Sequence, residues 1–449
     1  MTDDPLVPRT LARLRRTDPA AARRAERALG ELLGDATADQ SATAGLADLT
    51  LHGLQTYLWY TLPGGHEPAL TASALQSFFE LAEMHRYAAV AGSAQTKEVL
   101  RTYDEQGSPA GMRAGARAMD ASGVLPPDLP ELEWGELMGP SEQDAYQRIA
   151  VTLELALAAG ELRPGGRGWR ITQQRLARHQ LTMARPDGAL LDRVRMERLS
   201  TWADIGGTQR RGLADSVLPD LVVEPVPPRD VADRVAPVQW LLELAAGRPG
   251  DEPGVPLTVT GNLARRVVQE ASERFAWWEL SDRAPRSESD IWQLGELRLM
   301  MQHAGLLRRS GRKLVLGTRG RAMLGEPVNQ WHIAMSFIID EGEFESAAQE
   351  AGLMLLLRSN GLVETRDLIK EVADVLAGSG WRDTGDGTPP EDLDVTRAVW
   401  DLLRRCELWA LVAEERGPGF ATRLRLSEAG IRGAHTALRL LALRPRMDT

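Results

Sequence analysis

The stretch Leu306–Leu324, LLRRSGRKLVLGTRGRAML, decides how the chain is read. Apolar residues flank a polar tip at Ser310–Lys313, which predicts a short β-hairpin with Gly311 in the turn, where a positive φ costs glycine little. Arg308, Arg309, Arg312, Lys313, Arg319 and Arg321 fall on the tip and far strand. From there a wing can reach DNA phosphates with bidentate guanidinium groups.

The residues before the hairpin extend this reading. Val231–Gly247 has the spacing of a helix, PLTVT that of a short strand, and two helices follow at about Asn262–Glu273 and Ser287–His303. Helix, strand, helix, helix, hairpin is the order of a winged helix. The end of the hairpin recurs: LVLGTRGRA from Leu314 aligns with LRLSEAGIRGA from Leu424, matching Leu316 with Leu426 and Gly320 with Gly430. A long helix precedes each, at 288–303 and 394–411. A weaker copy, first in chain order, is read at Leu155–His179, with Gly165 and Gly166 at the turn and Trp169 and Ile171 facing inward. It lacks the terminal glycine.

PLTVTGNLARRVV followed by GELRLMMQHAGLLRRSGRKLVLGTRGRAML resembles a C-terminal winged-helix-like module of uncharacterised actinobacterial proteins associated with a plasmid-derived open-reading-frame family. The pattern runs L-T-x-x-G-x-L, then L-R-x-x-x-x-x-x-G-L-L-R, then L-x-L-T-x-x-G-R. It is met at Leu257, Thr258, Gly261, Leu263, Leu297, Arg298, Gly305, Leu306, Leu307 and Arg308, and missed at Gly317, where the pattern has threonine. The resemblance covers roughly residues 255–325 and implies a fold without an activity.

Charge sharpens the question. Between Leu297 and Gly325 there are seven basic residues and no acid, and from Leu162 to Pro186 six arginines, Arg163, Arg167 and Arg170 among them, again without an acid. Yet the net charge is −10, which argues against non-specific coating of nucleic acid. The helix that would enter a major groove carries Glu288, Asp290 and Glu296 against Arg298, with only Gln293 and Gln302 to read bases. The last module sets Glu407, Glu414 and Glu415 near its hairpin. A protein-binding use of the same modules therefore stays open beside DNA binding.

The remaining composition bounds the class. With 43% hydrophobic and 26% charged residues over 449 positions, the chain should form several globular domains. No apolar run approaches the roughly 20 residues of a membrane span, and the basic N-terminus lacks the apolar core of a signal peptide, so a cytoplasmic location is expected. Lysine occurs only at positions 97, 313 and 370, which points to high-GC coding. The single Cys406, among leucines, reads as a buried thiol.

Proline-rich breaks at Leu125–Pro140 and Leu218–Asp230, with a weaker one at Gly378–Asp394, place the divisions. These give an N-terminal basic helical segment and linker (1–45), a helical domain (46–140), a helical region with the degenerate copy (141–230), a winged-helix-like domain (231–325), and a helical region ending in a second such module (326–449). The spacing predicts helices at 46–60, 71–85 with Thr71 and Ser73 as N-caps, 94–105, 109–122 and 141–159. Tyr57, Trp59, Tyr60, Phe78 and Phe79 read as core rather than a ligand pocket. The runs Trp331–Asp340 and Ala351–Gly361 likewise read as core, with a homodimer surface as the other reading.

Chemistry is not evident. Seven histidines stand singly, with no metal-binding spacing, and phosphate loops and G-x-S-x-G are absent. The carboxylates of DEGEFE at Asp340–Glu345 could hold a cation but read as a helix start, where acids favour the dipole, and DTGDGTPPED at Asp383–Asp392, which misses the spacing of a calcium loop, reads as a connection. The expectation is a mainly α protein with an N-terminal helical domain and two or three winged-helix-like modules with short β-hairpins. It is expected to act without catalytic residue, metal or cofactor, on double-stranded DNA or on a protein partner or second copy, with no membrane and no small-molecule ligand.

Overall fold

The computed structural model describes residues 5–34, 45–247, 253–277, 284–359, 361–382, 387–416 and 422–447. The linker read at Gly34–Gly45, apart from its end residues, and positions 383–386 of the last connection lie outside them. The chain is mainly helical and divides into two compact units, residues 1–195 with 445–449, and residues 196–444.

In the first unit Pro19 splits the N-terminal helical stretch into α1 (Leu6–Thr17) and α2 (Pro19–Gly34). Proline suits a first helical position, whose N–H would be unbonded anyway, and Asp18 Oδ1 accepts the next two N–H groups, of Ala20 and Ala21, at 2.9 Å each. Leu11, Leu14, Ala25, Ala28, Leu29 and Leu32 are buried, as their spacing requires. Then come α3 (Leu51–Thr56), a π-helical turn at Tyr57–Thr61, α4 (Pro68–Leu81), α5 (His85–Ala91), α6 (Ala94–Gln106) and α7 (Ser108–Ser122). α4 begins one turn before the expected caps: Pro68 starts it, and Thr71 is buried inside it. Tyr57, Trp59, Phe78 and Phe79 are core, while Tyr60 stays exposed.

α8 (Pro140–Ala158), α9 (Trp169–Thr182) and the start of α10 (Leu190–Asp204), whose residues from Met196 on belong to the second unit, follow, and α8 and α9 correct the first-copy reading. Leu155–His179 is a helix end, a turn and a new helix. The helical period of Gln173, Ala177 and Leu181, all buried, prevails over strand alternation, and Ile171, expected inward, is 73% exposed.

His52 lies largely buried against the Tyr146 ring, centroids 5.3 Å apart, and its Nδ1 has no hydrogen-bond partner among the described residues. Burial pushes its pKa down to about 4. The unfolded chain takes up this proton near pH 6.5 and the folded one does not until about pH 4, so stability falls as pH drops through that window. We expect the loss to reach about 3 kcal/mol, and the His52→Gln chain to lose less over the same range in thermal melts. Equal pH dependence of the two would contradict this.

The second unit contains α11 (Thr208–Val222), α12 (Val231–Arg234), α13 (Ala236–Ala246), β1 (Val255–Pro256), α14 (Arg265–Phe275), α15 (Trp292–His303), β2 (Leu307–Ser310), β3 (Lys313–Leu316) and α16 (Thr318–Met323). After α17 (Pro327–Ser336) the same order returns as α18 (Glu343–Ser359), β4 (Val363–Glu364), α19 (Thr365–Gly378), α20 (Asp392–Leu408), β5 (Val412–Arg416), β6 (Thr422–Leu426) and α21 (Glu428–Ala442). Both sheets are antiparallel with the last strand central, β1-β3-β2 and β4-β6-β5.

Register repeats as well. Leu314 pairs with Val255 and Leu316 with Leu307; Leu424 pairs with Val363 and Leu426 with Val412. Each third helix ends alike: Leu306 N–H donates to Met301 O at 2.9 Å and Leu411 N–H to Cys406 O at 2.8 Å, across a left-handed residue, Gly305 in one module and Ala410 (φ 51°) in the other. The Leu306 and Leu411 carbonyls then accept the N–H groups of Gly317 (2.8 Å) and Ser427 (2.9 Å). Gly320 and Gly430 sit so close that a Cβ would stand 2.1 Å and 1.9 Å from those two oxygens.

The runs at 331–340 and 351–361 are mostly interior, with Trp331, Ala334, Met335, Leu353 and Met354 fully buried. Cys406 is buried too, and burial pushes its thiol up to about 12. Gly430→Ala should destabilise the chain by about 2 kcal/mol or more through overpacking. Ala410→Gly should stabilise it by about 1 kcal/mol by relieving the left-handed alanine. Opposite shifts in melting temperature are expected; shifts of the same sign would contradict the shared closure.

Candidate nucleic-acid interface

β2 and β3 form a two-residue hairpin in which Ser310 faces Lys313 and Gly311 opens the turn with φ 59°. Leu307, Arg309, Leu314 and Leu316 share one side of the ribbon, and Leu314 there is fully buried. Arg308 and Lys313 lie on the other side. Arg308, Arg309 and Arg312 are exposed, and among the described residues none of the three forms an ion pair. Arg309 Nε donates to Gly311 O at 3.2 Å, which holds its guanidinium at the tip.

The two arginines beyond the hairpin differ. Arg319 Nη1 donates to Ala304 O at 3.2 Å, at the end of α15, a stabilising place for a cation. Arg321 is exposed on α16 without an ion pair among the described residues.

Two arginines that sequence reading passed over extend this surface. Leu257 N–H donates to Arg312 O at 2.8 Å, and Ala264 N–H to Pro256 O at 3.0 Å, so the start of α14 lies about two strand spacings, roughly 10 Å, from the hairpin tip. Arg265 and Arg266 open that helix and are exposed. The Arg309 guanidinium lies beside the intervening loop: a methyl on Gly261 would stand 3.6 Å from Nη1. A signal was available, because cations oppose the helix dipole in a first turn and so do nothing for α14 itself.

α15 offers little to bases. Arg298 is withdrawn: its Nε lies 2.5 Å from Oε1 of buried Glu288 and its Nη1 bonds Gln302, while Glu288 Oε2 accepts the Leu263 N–H at 2.7 Å. Trp292 at the head of the helix is covered by the Arg404 guanidinium, 4.9 Å from its ring centroid. What remains outward is Gln293, Glu296, an exposed Leu299 and, at the helix end, an exposed His303 stacked on Phe337.

Residues 235–329 match the family model described as the Y4jL N-terminal domain. This Y4jL-like region contains the whole hairpin, the arginines of α14 and the residues whose pattern resembles a plasmid open-reading-frame-associated family. No curated protein and no solved structure matches the chain.

Arg163, Arg167 and Arg170 belong to the other unit, at the turn into α9. The segment is acid-free in sequence and acid-rich in space: Arg170 pairs with Asp120 at 2.5 Å, Arg175 with Glu161 at 2.7 Å and Arg178 with Glu131 at 2.7 Å. Arg163 Nε bonds Gly160 O, and Arg167 is exposed. Among the described residues no helix is long and apolar enough to cross a membrane, and no group of three His, Cys, Asp or Glu is placed to hold a metal ion. Asp340 of DEGEFE pairs with Arg405 at 2.6 Å.

Arg298→Ala should lower stability by about 3 kcal/mol, since it strands the buried Glu288 carboxylate. Arg308→Ala and Arg312→Ala should move it by less than about 0.5 kcal/mol, as ordinary surface changes do. Denaturant melts separate the two classes, and an Arg308 variant as damaging as Arg298→Ala would show that the hairpin arginines serve the fold.

Proposed function

We propose that the chain is a non-enzymatic regulatory protein of the cytoplasm that holds duplex DNA through the wing of its Y4jL-like region, a winged helix in plan. The observation that carries this is that Arg308, Arg309 and Arg312 stand exposed at one end of the module and, among the described residues, form no ion pair, although the chain is rich in carboxylates. Guanidinium groups at that spacing fit phosphate oxygens, with Arg265 and Arg266 extending the track. Because the head of α15 is covered and Arg298 is engaged by Glu288, contact is with the backbone and depends little on base sequence.

A second reading, an adaptor that uses such modules on protein, is favoured by one feature of the last module. There Glu414 and Glu415 occupy the hairpin, and burial, reinforced by Glu414, holds the Glu407 carboxyl above its usual range. That hairpin does not suit phosphate.

Binding of labelled duplex DNA across a salt series tests the proposal. Affinity should fall linearly on log axes with a slope of about −0.9 per phosphate engaged. Changing Arg308, Arg309, Arg312 and Lys313 to alanine together should shrink that slope and weaken binding at least tenfold, whereas alanines at Arg163, Arg167 and Arg170 should leave it unchanged. Absence of binding at low salt, or binding that survives the fourfold change, would overturn the reading.

A further inference from the structure

The C-terminal module carries a second surface, opposed in character to the basic hairpin. α20 buries Val395, Ala398, Val399, Leu402, Leu403 and Cys406, and exposes the opposite stripe, in which Leu393 is 63% and Trp400 43% accessible. Beside Trp400 a groove of about 660 Å³ opens between α19 and α20, with Ile369 and Ala373 of α19 and Thr396 of α20 in its lining. Trp400 is held half open over this groove, outside the buried core of its module. Tryptophan is the side chain most enriched at the centre of protein interfaces.

The charges around the groove say what fits it. Arg366 and Lys370 line it together with Asp374 and Asp392, and among the described residues none of these four forms an ion pair. Glu364, the remaining lining acid, is engaged by Arg423 at 3.4 Å. Two open cations and two open carboxylates suit neither a polyanion nor a uniformly charged peptide. They suit the same surface turned through a two-fold rotation, since an isologous contact requires a patch to complement itself. Lys370 and Asp374 stand one turn apart on α19, so an antiparallel crossing of two α19 helices sets each lysine against the other copy's Asp374.

We propose that the α19–α20 face joins two copies of this chain, with Trp400 of each in the groove of the other. The dimer places two basic hairpins on one assembly, and the proposal does not depend on what those hairpins bind.

Analytical ultracentrifugation of the full chain over a concentration series tests it. The wild-type chain should dimerise, and Trp400→Ala should weaken the dimer roughly thirtyfold or more. Lys370→Asp and Asp374→Lys should each weaken it by about fivefold, and the chain carrying both exchanges should recover. These two positions are exposed, so melts unchanged from wild type show that the variants fold. A wild-type chain that stays monomeric throughout overturns the proposal. So does a dimer indifferent to Trp400→Ala and to both charge changes, which would place self-association elsewhere.

Discussion

Each hairpin of the second unit is fastened to the helix before it at one carbonyl oxygen. Leu306 O and Leu411 O each accept an N–H from the segment leaving the hairpin, and the next turn of chain passes so near that only glycine fits, at Gly320 and Gly430. This close approach fixes where the last strand can lie. Leu314 and Leu424 are thereby paired to the first strands and buried, and in the β2–β3 hairpin the tip projects away from the core. The exposure of Arg308, Arg309 and Arg312 therefore follows from a backbone contact several residues away.

The second determinant is which cations meet carboxylates. Some arginines meet carboxylates that arrive from other helices, although an isolated exposed pair adds little stability. What matters here is availability. Arg170, Arg175 and Arg178 are taken up by Asp120, Glu161 and Glu131, and Arg298 by a buried glutamate that also holds the backbone at Leu263. Among the described residues Arg308, Arg309, Arg312, Arg265 and Arg266 form no ion pair, and the residues of β1 that pair with β3, Val255 and Pro256, offer no side-chain acid.

Much of the second unit could be read from the sequence, because local and global signals agree there. The glycine after each last strand, the leucine alternation and the long preceding helix recur at Leu314–Arg321 and Leu424–Ile431, and the structure keeps that alignment residue for residue in its pairing. The earlier copy failed for a physical reason: Gly165 and Gly166 mark a turn but not its partners, and the period of Gln173, Ala177 and Leu181 is helical. Arg265 and Arg266 were missed because their neighbours at the hairpin are some fifty residues distant, and only folding brings them near. Three-dimensional pairing hid in the same way, since an acid-free stretch of sequence says nothing about acids arriving from other helices.

The most direct measurement of the central claim is arginine-selective modification by a dicarbonyl reagent, read by mass spectrometry with and without duplex DNA. The account predicts that Arg308, Arg309, Arg312, Arg265 and Arg266 react readily in the free chain and are protected together by DNA, while Arg163, Arg167 and Arg170 react equally in both states. Protection at Arg163, Arg167 and Arg170, or hairpin arginines whose reactivity DNA leaves unchanged, would contradict it.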